Sequence, residues 1–240
     1  MVTPRHPLLL EIDALAWLDA LSRSIGRAAT LDDIEDAELD RLAALGFDWI
    51  ACLGVWPTAV APSAERPADA AAGVDGPHGG ITRYTVQEAL GGEAALARLR
   101  DRLHSRGLKL MLDFAVDQVA SSHPWVTQHP EFFFAGDEAG PRPFNFGRSV
   151  LQQALMGELQ RIAGQCDGLR CNQALRGLPE VFLRRWGLRS EPFWPKAMAA
   201  VRHLHPAFEF LAEIDTDGAG EWQGRLQQQG FDHVCDAVLY

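Results

Sequence analysis

Short apolar runs alternate along the chain with segments in which apolar residues recur at helical spacing. The apolar runs predict six buried strands, over residues 8–13, 49–53, 108–114, 168–171, 208–213 and 231–235. The periodic segments predict five helices, over residues 31–45, 93–106, 149–163, 191–204 and 221–229. Thr30 is typical of a helix cap, and Gly46 and Gly107 of helix ends. The repeated strand-then-helix order predicts a parallel sheet with right-handed crossovers.

Polar residues where the predicted strands end favour a barrel over an open, doubly wound sheet. Asp13, Asp113, Arg170 and Glu213 stand at such ends, and (β/α) barrels collect their functional groups at that face. A closed barrel needs eight strand–helix units, and Tyr240 follows the sixth strand. We therefore expect an α/β fold, a TIM-type parallel barrel with about six of eight units, truncated at the C-terminus and forming a single domain over residues 1–240.

Two segments do not fit the strand–helix repeat. Residues 57–80 are rich in Ala, Pro and Gly, and residues 135–147 contain Gly, Pro and Asn. Both are predicted to be long loops, after the second and third strands. Loops of that length in a compact domain are usually functional or disordered.

Charge and cysteine content narrow the classes of partner and compartment. Lys and Arg number 22 and Asp and Glu 32, a formal net charge of −10. Such an acidic chain repels phosphate backbones and anionic lipid, so we expect no nucleic-acid and no membrane partner, whereas neutral sugars remain compatible. The four cysteines are scattered, without the clustering of a disulfide framework or a zinc site. Together with Glu11 and Asp13, which interrupt the N-terminal apolar run, this predicts a cytoplasmic protein with free thiols.

The strand ends also suggest chemistry. Asp113, Arg170 and Glu213 are predicted at the ends of the third, fourth and fifth strands, and an arginine between two acids is a plausible acid/base site. The structural alternative is that the aspartate caps a helix and that the arginine pairs with an acid. Residue types and spacing alone leave both interpretations open.

Several motifs, in order, make the chain similar to the α-amylase family of glycoside hydrolases. The similarity covers residues 8–240 and is carried by AALGFDWI (43–50), YTV (84–86) with LGG (90–92), GLKLMLDF (107–114), HPW (123–125) with HPEF (129–132), CDGLRC (166–171), LAE (211–213) and GFDH (230–233). Each motif is weak alone, and the ordered set is specific. The resemblance implies a (β/α)8-type barrel that acts on α-glucosidic bonds with retention of configuration.

The resemblance also implies roles for individual residues. Glu213 matches the general acid/base, and Arg170 matches the arginine that keeps the nucleophile ionised. Asp113 matches the supporting aspartate of the first motif, and Tyr84 an aromatic residue that stacks under the sugar. The position of the nucleophile is Asn172, a neutral amide that cannot form the glycosyl ester.

Further positions depart from the family pattern. The first motif, which usually ends in Asn-His, ends in Asp117-Gln118, so Gln118 stands where a histidine binds sugar hydroxyls. Arg83 replaces an acidic residue before the tyrosine. The third carboxylate, on the seventh strand, would lie beyond Tyr240. We therefore expect weak or no hydrolysis of an α-linked oligosaccharide or glucan.

Two other interpretations stay open. The chain is an α-glucan-binding or protein-interaction module without catalysis, or a gene remnant that hardly folds. An open barrel exposes the edges of its first and sixth strands, which predicts self-association through them. No cofactor and no metal are expected, because a lone Asp117 does not make a calcium site.

Overall fold

Six parallel strands, joined in sequence order, form the central sheet. The protein is described here by a computed structural model that covers residues 7–59, 80–135, 140–214 and 219–236. The strands are β1 (Leu9–Asp13), β2 (Trp49–Leu53), β3 (Lys109–Ala115), β4 (Gly168–Asn172), β5 (Glu209–Ile214) and β6 (His233–Asp236). Each pairs in parallel with the next. The predicted α/β class is confirmed, with strand boundaries shifted by one or two residues.

Eight helices connect and flank the strands in the described residues. They are α1 (Ala14–Ile25), α2 (Asp36–Ala44), α3 (Gly92–His104), α4 (Pro124–Gln128), α5 (Ser149–Ala163), α6 (Pro179–Trp186), α7 (Trp194–Leu204) and α8 (Ala219–Gln229). A short antiparallel pair joins Gln118–Val119 to Arg142–Pro143. No helix in these ranges is long and apolar enough to span a membrane.

The prediction of only five helices was wrong, because α1, α4 and α6 were not anticipated. Asp13 ends β1 and at the same time caps α1, since its Oδ1 accepts the Ala16 N–H at 2.9 Å. The strand and the helix therefore share one residue, with no separating turn. The helices α4 and α6 are short, at five and eight residues, and each begins with a proline. Segments of that length give little periodicity to detect.

The helix predicted over residues 31–45 is also divided in two. Thr30 and Asp33 form a capping box around a 3-10 turn at Leu31–Asp33. The chain then becomes extended at Ile34 (φ −65°, ψ 120°) before α2 begins. Local side-chain hydrogen bonds thus end the first turn, although the apolar spacing continues through it.

The two faces of the sheet contact different parts of the protein. The outward-facing residues pack with the helices into the main hydrophobic core. The inward-facing residues form a smaller buried cluster of Trp49, Ala51, Leu53, Met111 and Leu211. Both faces are therefore apolar, which explains why the strands appear in the sequence as unbroken apolar runs rather than as alternating ones.

Contacts between non-adjacent strands show that the sheet curls towards its inner face. Glu11 of β1 reaches Arg170 of β4 at 2.8 Å, past β2 and β3. At the opposite end of the strands, the Lys109 ammonium of β3 lies 2.8 Å from Glu209 of β5, across Gly168 of β4. The curled sheet matches the predicted incomplete barrel.

A row of ion pairs fixes α3 against the segment that includes α2. Arginines at positions 98, 102 and 106 of the α3 region recur every four residues, as do the aspartates that they contact. The pairs are Arg98–Asp32, Arg102–Asp36 and Arg106–Asp40, at 2.6, 2.9 and 2.6 Å. Because most of these side chains are exposed, each pair adds little stability alone, and the row chiefly aligns the two segments.

The two predicted loops lie partly outside the described residues. Most of the loop over residues 57–80 falls there, as do residues 136–139 of the second loop. In the described part of the second loop, Phe144 forms a bridge to Phe133. This loop is therefore tied to the segment that follows α4.

Gly168→Ala is expected to destabilise the protein because the added Cβ has no room. It would lie 2.8 Å from the Glu209 carbonyl oxygen and 3.0 Å from side-chain atoms of Met111 and Trp49. Overpacking of this kind costs about 1–3 kcal/mol of unfolding free energy, measurable by urea denaturation. Gly157→Ala is the matched control. Its Cβ would point into open space on α5, so the helix should gain about 0.5–1 kcal/mol. Equal effects of the two substitutions would contradict the packing argument.

Candidate functional site

A buried arginine organises the polar groups on the inner face of the sheet. The Arg170 guanidinium donates from Nη2 and Nη1 to the two carboxylate oxygens of Glu213, at 2.8 and 3.1 Å. Nη1 also donates to Asn172 Oδ1 at 2.5 Å, and Nε to Glu11 Oε1 at 2.8 Å. One side chain on β4 therefore joins groups from β1, β4 and β5.

The strand register explains why these groups meet. Arg170 and Asn172 are two residues apart on β4, so their side chains leave the same face of the sheet. Arg170 is the register partner of Asp113 on β3, and Glu213 lies on β5, the strand on the other side. The sequence-predicted residues Asp113, Arg170, Asn172 and Glu213 are thus brought together at one end of three neighbouring strands.

Two opposing effects, burial and nearby carboxylates, act on the pKa of Arg170. Burial works against a charged guanidinium, but the carboxylates of Glu213 and Glu11 outweigh it and raise the pKa of Arg170. Glu213 is 1% exposed and is held in a bidentate contact, the geometry in which a carboxylate is bound most strongly in its ionised form. Arg170 therefore serves as a fixed counter-charge for Glu213.

Asp113 lies on the next strand in a different environment. Burial raises the pKa of its carboxyl to about 6, although the Gly54 N–H and the charge of Arg170 oppose the shift. The Gly54 N–H donates to Asp113 Oδ1 at 3.2 Å, and the Trp56 indole donates to the backbone carbonyl of Asp113 at 2.8 Å. Asp113 therefore carries a carboxyl whose proton is lost near neutral pH.

Tyr84 lies in the hydrophobic core of the structure. Its ring is 3% exposed and stacks on Phe114 with centroids 5.1 Å apart, while the edge of Trp56 closes on it at 5.7 Å. Its hydroxyl donates to the Ala115 carbonyl at 2.6 Å. The predicted role as a sugar-stacking platform needs an open ring face, and here the surrounding rings cover the tyrosine.

Gln118 belongs to the loop layer beyond β3 rather than to the strand end itself. It is half-buried, and its short strand pairs with residues 142–143. The preceding Asp117 lies 3.8 Å from Arg176, which follows β4. Of the predicted substrate residues, Asp113 therefore lies in the central sheet, whereas Gln118 lies in the loop layer that follows β3.

The loops over the strand ends form a small cleft of aromatic and charged side chains. Trp186 stacks on Phe134 with centroids 4.0 Å apart, and the Arg185 guanidinium lies 5.3 Å from the Trp186 ring. Asp117 and Arg176 complete the lining on the side of β3 and β4. Of the aromatic side chains that line the cleft, only Trp186 is partly exposed, while Phe144, Phe146 and Phe182 are buried, and the cavity of about 20 Å³ has room for a water molecule.

Sequence reasoning did not identify Glu11 as a site residue. The sequence suggested only that it interrupts the N-terminal apolar run. Its contact with Arg170 depends on the curl of the sheet, because 159 residues separate the two. The one available signal was the alternation on β1, which places Glu11 on the same face as Leu9 and Asp13.

The residue after Asn172 has an unusual backbone. Gln173 adopts the left-handed conformation (φ 55°, ψ 37°), and it is the only non-glycine residue with positive φ in the described ranges. Such a conformation is unfavourable for a residue with a Cβ. It ends β4 directly after Asn172 and begins the 3-10 turn at Ala174–Gly177.

A metal centre is not formed by the side chains in the described parts of the chain. These residues contain no group of three or more His, Cys, Asp or Glu side chains that could hold an ion. The thiols of Cys52, Cys166 and Cys171 are buried and that of Cys235 is partly exposed, and none of the four is in a disulfide in the described structure.

The fold and the site together define the class of protein. A curled parallel sheet, with an arginine and acids on the inner face of neighbouring strands, is a (β/α)-barrel scaffold that carries polar groups at its strand ends. The sequence is 27% identical over 245 residues to an α-1,4-glucan:maltose-1-phosphate maltosyltransferase of Bifidobacterium longum, covering 90% of this chain and 32% of that protein. It is 30% identical over 220 residues to the enzyme of that name from Cereibacter sphaeroides, covering 84% and 32%. No family model matches the sequence.

Solved structures show the same fold. An α-amylase from Lactobacillus plantarum superposes with a TM-score of 0.65 at 21% identity, over 95% of this chain and 52% of that one. An Anoxybacillus α-amylase gives 0.68 at 17% identity, over 99% and 54%. The chain belongs to the α-amylase family of glycoside hydrolases. It spans about a third of the length of these two curated relatives.

The raised pKa of Asp113 predicts a specific pH dependence of stability. The folded chain holds this proton up to about pH 6, whereas an unfolded aspartate loses it near 3.8. Stability contributed by the group is thus complete below about pH 4 and is lost as pH rises to about 6. Asp113→Asn keeps an acceptor for Gly54 but carries no titrating proton. The unfolding free energy of the variant relative to the parent should therefore rise across this window, by on the order of 3 kcal/mol. Urea titrations between pH 4 and pH 7 measure it, and a constant difference would contradict the assignment.

Proposed function

We propose that this chain is an α-glucan-binding protein in which hydrolysis is weak or absent. The observation that carries the proposal is the pair of contacts made by Arg170. Its Nη1 holds the amide of Asn172 at the position of the nucleophile, and its two Nη atoms hold the carboxylate of Glu213. Arg170 and Glu213 match polar residues of a glycosidase site. The nucleophile is replaced by Asn172, and both oxygens of Glu213 accept hydrogen bonds from Arg170.

The retaining mechanism shows why these contacts disfavour catalysis. One carboxylate must attack the anomeric carbon, and a protonated carboxyl must donate to the leaving oxygen. Asn172 offers a neutral amide in place of the first group. Glu213 retains its carboxyl, although the bidentate contact with Arg170 favours its ionised form. The nucleophilic step therefore lacks its reactant.

Several observations support an α-linked glucan as the ligand. The curated relatives are named for α-1,4-glucan and maltose-1-phosphate, and one structural neighbour, from Geobacillus thermoleovorans, is an α-amylase in complex with acarbose. In this chain, the partly exposed Trp186 ring lies near the paired charges of Asp117 and Arg176, side chains of the types that contact sugars. We also propose a cytoplasmic location, which is supported by the buried thiols of Cys52, Cys166 and Cys171 outside any disulfide in the described structure.

A second candidate function is residual glycosyl transfer or hydrolysis. The observation that favours it is the survival of Arg170, Glu213 and Asp113 in one cluster. An oxygen nucleophile other than residue 172 would then have to attack the sugar. The two functions differ in turnover, which makes them separable by one set of assays.

Calorimetric titration with maltoheptaose is expected to show saturable binding to the parent protein. Hydrolysis of the same sugar by the freshly purified parent, with residue 172 verified as asparagine by mass spectrometry, should remain at background. Asn172→Asp restores the missing carboxylate beside Arg170, and turnover should then rise by about 100-fold or more, because loss of a nucleophile costs several orders of magnitude. Gln153→Glu, which adds the same charge on the exposed face of α5, is the matched control and should change neither measurement.

Two results would overturn the proposal. Efficient hydrolysis or transfer by the parent would show that Asn172 does not block catalysis, in favour of the second candidate. Failure of any maltooligosaccharide to bind at millimolar concentration would remove the sugar ligand itself.

A further inference from the structure

The amide of Asn172 is placed where an amide is chemically vulnerable. Its carbonyl oxygen accepts a charged hydrogen bond from Arg170 Nη1 at 2.5 Å. That contact withdraws electrons from the amide carbon and stabilises negative charge that develops on the oxygen when a nucleophile adds. Asn172 is only partly buried among the described residues, so its side chain is accessible to water.

A base lies beside the same amide. Glu213 Oε2 accepts from Nη1 at 3.1 Å, so Asn172 and Glu213 share one donor nitrogen. Two acceptors that share a donor are close enough for one water molecule to bridge them. The ionised Glu213 carboxylate can therefore hold that water and take a proton from it as it attacks.

We propose that Asn172 is a site of self-catalysed deamidation, in which Arg170 polarises the side-chain amide and Glu213 activates water. The water oxygen forms a bond to Cγ, the Cγ–Nδ2 bond breaks, and the nitrogen leaves as ammonia after receiving the proton that Glu213 took from water. The new carboxylic acid then gives its proton to ammonia, so the products are an aspartate at position 172 and ammonium. No oxidant or reductant takes part.

The backbone favours direct attack by water over the usual cyclic route. Spontaneous deamidation normally requires the next backbone nitrogen to reach the side-chain carbon. Asn172 lies in an extended strand, and the left-handed Gln173 turns the chain sharply after it. The ladder of β4 holds residue 172 in register with Ala115 of β3, so the backbone is not free to fold back.

The sequence contains its own reference residue. Asparagine occurs only at positions 145 and 172. Asn145 is buried in the loop layer, where its Oδ1 accepts the neutral Gly147 backbone N–H at 3.1 Å. Its amide oxygen accepts a hydrogen bond from a neutral N–H rather than from a guanidinium. The deamidation rate of Asn145 therefore gives the background rate for this chain.

The experiment is to incubate the purified parent chain in H₂¹⁸O at 37 °C and follow the peptides of residues 145 and 172 by mass spectrometry. We expect conversion at residue 172 with one ¹⁸O incorporated, faster than at Asn145 by about tenfold or more. The product should co-elute with the peptide of Asn172→Asp and contain no isoaspartate, since the cyclic route would give both isomers.

Two controls test the assigned roles. Glu213→Gln retains the shape of the side chain but not the base, and should slow conversion by about tenfold or more. Because that variant removes a buried charge, the parent in concentrated urea provides a second comparison, and unfolding should slow conversion at residue 172. Equal rates at the two asparagines, faster conversion in urea, or an isoaspartate product would each overturn the proposal. The measurement uses no sugar, so its failure is distinguishable from a failure of glucan binding.

Discussion

The contacts of the Arg170 guanidinium are the interaction on which the rest of the site depends. A charged group in the interior of a protein is stable only when opposite charge and hydrogen-bond acceptors surround it. Glu213 supplies two oxygens, Glu11 a third and Asn172 a fourth. Because these partners come from three strands, satisfying the guanidinium also fixes how far the sheet curls.

The same contacts determine what chemistry remains available. An arginine that binds both oxygens of one carboxylate fixes that carboxylate in position, which suits structural support or ligand orientation better than proton donation. Asp113, on the neighbouring strand, has the opposite character, because burial raises its pKa to about 6. The site thus contains one acid in a bidentate ion pair with an arginine and one acid whose pKa is raised by burial. Two acids in different environments are a common basis for acid/base catalysis. This chain differs at residue 172, where an amide stands at the position of the carboxylate nucleophile.

Much of the fold could be predicted from the sequence because the signals were local. Apolar runs such as Trp49–Leu53 are long enough to mark strands, and Ser149–Ala163 shows helical spacing throughout. The prediction was wrong where local hydrogen bonds override spacing, as at the Thr30–Asp33 capping box, and where one residue serves two elements, as Asp13 does. The motifs around Asp113, Arg170 and Glu213 predicted residues that the sheet does bring together.

The sequence by itself determined the order of the six strands, the family and the identity of the group at residue 172, because these depend on neighbouring residues or on matched motifs. Only the tertiary structure decided that Glu11 joins the site, that Tyr84 is enclosed by Phe114 and Trp56, and that Glu213 is bound by both Nη atoms. These facts follow from the curl of the sheet and from side-chain burial. Both arise from contacts between residues far apart in the chain, which no local pattern encodes.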